Sequence, residues 1–161
     1  MRIFPSIRRC ETGFTMMEIM VVIGIIAILA TVAIPSLATW IPDYRLKSAV
    51  QDLYSNMQLA KMEAIKNNSP RTITFNTDGT YTKPDNTTVS FADYGSGVGY
   101  GRPDTGNNIT YADGQTVTFQ PRGFAEDGEV YISNDKGTSY YVGTSIAGVV
   151  ILRKWMGSSW E

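Results

Sequence analysis

The run "GFTMMEIMVVIGIIAILATVAIPS", Gly13 to Ser36, decides the fold, because everything after it depends on whether it enters a membrane. Between Phe14 and Ile34 the only ionisable side chain is Glu18. A bilayer core needs about 20 predominantly apolar residues rising 1.5 Å each, and this run is long enough. An unpaired charge in the middle of such a helix costs about 2.5 to 3.5 kcal/mol, and less near an end, so a lone carboxylate there implies a partner.

Outside this run the composition is that of a folded domain. The chain has 161 residues, 43% apolar and 18% charged, which suits one head domain on a membrane anchor. A net charge of −1 conceals an asymmetry: Arg2, Arg8 and Arg9 precede the apolar run against Glu11 alone, so the remainder is mildly acidic. Basic residues ahead of a span stay in the cytoplasm, which sends the C-terminal body across the membrane. Cys10 is the only cysteine and lies in the basic leader, and the chain has no histidine. The exported part therefore has neither a disulfide nor a Cys/His metal site, and Ser–His and Cys–His nucleophile pairs are excluded. No cofactor and no metal site are expected.

Three readings compete for residues 1–36. A cleaved secretory signal has an apolar core of about 7 to 15 residues and a small-x-small cleavage site, whereas this run is longer and offers only Ala27, Ala30 and Ala33, with no A-x-A triplet. A plain signal anchor accounts for length and orientation but leaves Glu18 without a reason. The third accounts for both. Gly13-Phe14-Thr15-Met16-Met17-Glu18, after a basic leader and before an apolar helix, resembles the class III signal of type IV prepilins and type II secretion pseudopilins. The resemblance implies cleavage by a prepilin peptidase between Gly13 and Phe14, loss of Cys10 with the leader, and N-methylation of the new Phe14 amine. It also implies that Glu18 faces the Phe14 amine of a neighbouring subunit. Such a pair in low dielectric attracts strongly, while either charge alone bears its desolvation, so register and recruitment are its safer consequences than net stability.

Beyond the span, Pro35 and Pro42 each remove a backbone donor, and a kink or local unwinding is expected near them. From Asp43, apolar Leu46, Val50, Leu53, Met57, Ala60 and Ala64 recur every three or four residues, which predicts an amphipathic helix packed on its own sheet. Asn67-Asn68-Ser69-Pro70 stops it. The pattern then alternates: Thr72-Ile73-Thr74-Phe75, a turn at Asp78-Gly79, and Thr80-Tyr81-Thr82. Further strands are predicted over 88–92, 108–111, 116–120, 129–133, 139–143 and 149–153, while Thr82 to Asn108 reads mostly as loop. The expected class is α+β: a long N-terminal helix, transmembrane and then amphipathic, packed on an antiparallel sheet head. The expected organisation is a cleaved leader over 1–13, a transmembrane and assembly helix over 14–41, and a periplasmic pilin-like head over 42–161. Within the head, the helix takes 43–67 and the sheet 71–153.

"VTFQPRGFAEDGEVYISNDKGTSYYV", Val117 to Val142, resembles the C-terminal domain of the GspH/FimT group, the H-type pseudopilins of type II secretion and the T-type minor pilins. Arg122-Gly123 looks like its strand-to-turn element, and the tail from Gly148 takes its last strand. The resemblance implies a non-catalytic minor pseudopilin or pilin, anchored by one span in the inner membrane and then carried into a filament. Its implied partners are the prepilin peptidase, other pilins or pseudopilins, and the inner-membrane assembly platform.

The alternative is a pilus-displayed module that binds DNA or a surface. Some T-type relatives carry a G-R-x-R element for phosphate, but the matching stretch here is Gly148-Val149-Val150-Ile151, without either arginine. The residues left for a nucleic-acid or partner contact are Arg153, Lys154, Trp155 and Trp160, with the loop around Tyr100 and Arg102 beside them. Nucleic acid is not the expected partner of a mildly acidic head, and a C-terminal flap or subunit contact is the simpler use of the tryptophans. Gly95 to Gly101 has the glycine count of a phosphate-cradling loop but not its strand–glycine–helix setting or its lysine, and Glu126-Asp127-Gly128-Glu129 lacks EF-hand spacing.

Overall fold

A computed structural model describes residues 13–161. Arg2, Arg8, Arg9, Cys10 and Glu11 of the basic leader lie outside them. Contacts divide the chain into two units, Met1–Ala38 and Thr39–Glu161. One helix, α1, runs over Met16–Lys66.

Within the first unit, Thr15 starts α1: its carbonyl accepts the Ile19 N–H at 3.2 Å and its hydroxyl accepts the Glu18 N–H at 3.2 Å. This is the work of an N-cap, which satisfies donors that the first turn leaves open. The side chains that follow, Met16, Met17, Ile19, Met20, Val21, Val22 and Ile23, are all exposed. A helix that is apolar all round, rather than along one stripe, has no core of its own to cover it. Among the described residues no helix is long and apolar enough to cross a membrane. Helical conformation continues through Pro35 and Pro42, and the local unwinding expected there does not occur. Each proline removes a single i→i−4 bond from a helix that is otherwise bonded on both sides.

In the second unit α1 presents Leu46, Ala49, Val50, Leu53, Met57, Ala60 and Ala64, all buried, in the predicted three-and-four spacing. It ends in a Schellman arrangement. Asn68 takes a left-handed φ of 47°, the Ser69 N–H reaches the Ala64 carbonyl at 3.2 Å, and the Asn68 N–H the Ile65 carbonyl at 3.4 Å.

Eight strands follow: β1 (Arg71–Phe75), β2 (Thr80–Thr82), β3 (Thr88–Ser90), β4 (Gly99–Tyr100), β5 (Thr116–Phe119), β6 (Gly128–Ser133), β7 (Ser139–Thr144) and β8 (Val150–Lys154). They form two four-stranded antiparallel sheets, ordered β3-β2-β1-β5 and β4-β6-β7-β8. Alternation decides the faces. On β1 and β5, Ile73, Phe75, Val117 and Phe119 are buried, while Thr72 and Thr118 share a hydroxyl contact at 3.0 Å on the other face. The buried side chains of α1 and of both sheets, Val130, Ile132 and Val142 among them, form one cluster lying between Leu46 and Val150. Thr39–Glu161 therefore contains its own core.

Four expectations need correcting. The head holds two sheets rather than one. The strand read as continuing to Ala92 stops at Ser90, whose hydroxyl accepts the Ala92 N–H at 3.2 Å and opens a 3-10 turn over Phe91–Tyr94. Gly99–Tyr100, inside the stretch read as loop, pairs with β6 at Ser133 and Ile132. The strand expected over 108–111 reduces to an isolated bridge between Ile109 and Val130.

Candidate processing and assembly site

Gly13, Phe14 and Glu18 lie together at the start of α1. Phe14 is 80% exposed, and a Cβ added to Gly13 would meet no atom within 4 Å. Packing against the described residues thus gives no reason for glycine at position 13. Glu18 is exposed in the first turn of α1, where the unsatisfied N–H groups and the helix dipole favour a negative charge. Thr15-x-x-Glu18 has the spacing of a capping box, of which the hydroxyl half is made. Among the described residues the Glu18 carboxylate makes no ion pair and accepts no hydrogen bond.

The C-terminal residues are placed differently. After Lys154 the chain turns back on itself: the Lys154 N–H reaches the Glu161 carbonyl at 2.6 Å, the Glu161 N–H reaches the Lys154 carbonyl at 3.0 Å, and Trp155 and Trp160 bridge between them. This short hairpin puts the Trp160 ring 5.0 Å from Trp155, 5.0 Å from Tyr141 and 5.3 Å from Tyr131. Arg153 Nη1 donates to the Trp160 carbonyl at 3.3 Å, and the Lys154 ammonium lies 5.9 Å from the Tyr140 ring centre. Of the four residues named for a nucleic-acid or partner contact, Arg153, Trp155 and Trp160 are thus brought together, with Trp160 spent on the head's own tyrosines, while Lys154 lies over Tyr140 on the other face of the sheet.

Tyr100 and Arg102 are engaged within the head as well. Tyr100 Oη donates to the Thr80 carbonyl at 2.7 Å, and the Arg102 guanidinium pairs with Asp104 and lies 4.2 Å from the centre of the Tyr131 ring. Tyr131 in turn donates its hydroxyl to Glu129. Burial first, and then that carboxylate, hold the Tyr131 phenol protonated above its ordinary range. Composition gave no sign of this Arg102–Tyr131–Glu129 group, because only strand register brings Tyr131 beside a loop nearly thirty residues earlier.

Two family models match the chain. One, described as the prokaryotic N-terminal methylation motif, covers residues 8–34 and so contains Gly13, Phe14 and Glu18. The other, "Type II transport protein GspH", covers residues 49–148, from the core face of α1 to the turn before β8. The chain belongs to the GspH family. As a GspH protein it is a GspH/FimT-like type IV pilin, and its α+β architecture of helix on antiparallel sheet is the pilin arrangement. The family supplies structural subunits, and its methylation motif is the kind processed by a prepilin peptidase. No curated protein and no solved structure matched this GspH chain.

Proposed function

We propose that the chain is a non-catalytic minor pseudopilin or pilin subunit, cut by a prepilin peptidase between Gly13 and Phe14, methylated at Phe14, and built into a filament of a type II secretion or type IV pilus system. The observation that carries this reading is Glu18: the sole ionisable residue of the apolar run, five residues after Gly13, with a carboxylate that has no partner among the described residues. A neighbouring subunit's Phe14 amine supplies the missing charge at that depth.

In this account residues 1–13 are the leader, 14–41 form the transmembrane and assembly helix, and 42–161 form the head on the periplasmic side of the inner membrane. The partners are the peptidase, other pilins or pseudopilins, and the assembly platform. Incorporation tests the reading directly. In cells assembling the filament, Glu18→Ala protein should reach the membrane at normal levels yet be missing from sheared filaments, and normal incorporation would contradict the role given to Glu18.

The DNA-binding alternative has no specific observation in its favour. Trp160 packs on the head's tyrosines with Trp155 against it, and the arginine element is replaced by Val149 and Ile151.

A further inference from the structure

The outer face of the second sheet carries a cavity of about 390 Å³, within the range of small-ligand sites. Strand register explains why it is there. Glu129, Gly143 and Ile151 pair across β6, β7 and β8 in one row, and Tyr131, Tyr141 and Arg153 in the next. Paired residues share a face, and Gly143, which has no side chain of its own, lets the Glu129 side chain and the Gly128 carbonyl lie over it at the floor of the cavity. A Cβ there would meet the Gly128 carbonyl at 2.9 Å and Glu129 Cγ at 3.0 Å. Tyr131 and Tyr141 line the cavity together with Arg102, Asp127 and Ser145.

The charges select the ligand class. An anion would approach Asp127 and Glu129. A cation would seek the Tyr131 ring beside Glu129, but the Arg102 guanidinium already lies there, 4.2 Å from the ring centre. A neutral ligand rich in hydroxyl groups avoids both conflicts, since planar guanidinium and carboxylate groups donate to and accept from adjacent hydroxyls and tyrosine rings cover its C–H face. We infer that this cavity on the outer face of β6, β7 and β8 binds a neutral saccharide, with Asp127 and Glu129 as acceptors and Arg102 as donor. The inference concerns the head alone and is independent of the assembly role of Glu18.

The test uses residues 39–161, which contain the whole core, and follows amide chemical shifts during titration with maltose and with N,N′-diacetylchitobiose. Arginine amide and glucuronate serve as charged comparisons. Saturable shifts confined to Gly128, Glu129, Gly143 and Ser145 with at least one sugar are expected. Asp127→Ala should weaken that binding by at least about tenfold. The Asp127 side chain makes no hydrogen bond among the described residues, so the variant should keep the wild-type melting temperature, while Arg153→Ala, on the same face but outside the cavity lining, should leave affinity unchanged. Four results would overturn the inference: no saturable shift with either sugar, shifts elsewhere on the head, full affinity in Asp127→Ala, or tighter binding of a charged comparison.

Discussion

The backbone N–H of Glu18 donates to Thr15 Oγ1 at 3.2 Å, so the residue that carries the lone carboxylate is also the third residue of α1, held by its N-cap. Two contributions of Glu18 can therefore be separated. The cap uses its backbone and survives any substitution of its side chain, whereas pairing with a neighbour's amine needs the charge. Glu18→Gln should keep the Glu18-position amide protected from hydrogen exchange in detergent micelles and lose filament incorporation. Thr15→Ala should do the reverse at the amide, costing about 1 kcal/mol of local helix stability. Unprotected amides in Glu18→Gln would show that the charge acts on the helix itself.

Leu53 lies at the centre of the α1 face that meets both sheets, fully buried. Leu53→Ala should destabilise the head by about 2 to 5 kcal/mol, combining the lost transfer energy with the cavity left behind. Urea unfolding of residues 39–161 measures it, and a loss under about 1 kcal/mol would contradict the packing described.

Asp43 ties α1 to the β6–β7 turn. Its carboxylate accepts from Thr138 Oγ1 at 2.7 Å and from Asn134 Nδ2 at 2.8 Å. The Thr138 hydroxyl first, then Asn134 and the Lys154 charge, hold its pKa below the usual carboxylate range against a partial desolvation. A depressed folded-state pKa contributes stability above the unfolded value of about 4, and that contribution is lost as pH falls through the folded value. Because the group is largely exposed, Asp43→Ala should cost only about 1 kcal/mol at neutral pH. The gap between variant and wild type should close on acidification below about pH 4. A gap that stays constant with pH would place the effect elsewhere.

How much of this was legible in the sequence depended on how local the determinant was. The buried face of α1 showed as a three-and-four period, and its end showed as Asn67-Asn68-Ser69-Pro70, because both are written within a turn or two of chain. The T-x-T alternation of β1, β2 and β5 showed for the same reason. Strand β4 did not, since two residues in a glycine-rich stretch become a strand only through pairing with Ser133 and Ile132. The division into two sheets was equally hidden, because β5 returns to β1 across more than forty residues. At the N-terminal site a single charge in an apolar run was enough to single out Glu18. The cavity beside Gly143 was not visible, since its lining comes together only through the register of β6, β7 and β8.

Trp160 lies on the returning arm of the tail hairpin, against the rings of Tyr131, Tyr141 and Trp155. Trp160→Ala should remove these ring contacts, worth about 0.5 to 1.5 kcal/mol per pair beyond burial, and lower the melting temperature of the head by several degrees. Thermal unfolding followed by circular dichroism checks it. An unchanged midpoint would mean that the hairpin does not stay folded against the sheet.

The most direct test of the central claim is intact-mass and N-terminal peptide mass spectrometry of the membrane-bound protein, from cells with and without the prepilin peptidase. With the peptidase, the protein should begin at an N-methylated Phe14, and without it should keep the leader ahead of Phe14, Cys10 included. Mature protein that still carries the leader through Gly13 in cells with an active peptidase would contradict the account, because no Phe14 amine would then exist for Glu18 to meet.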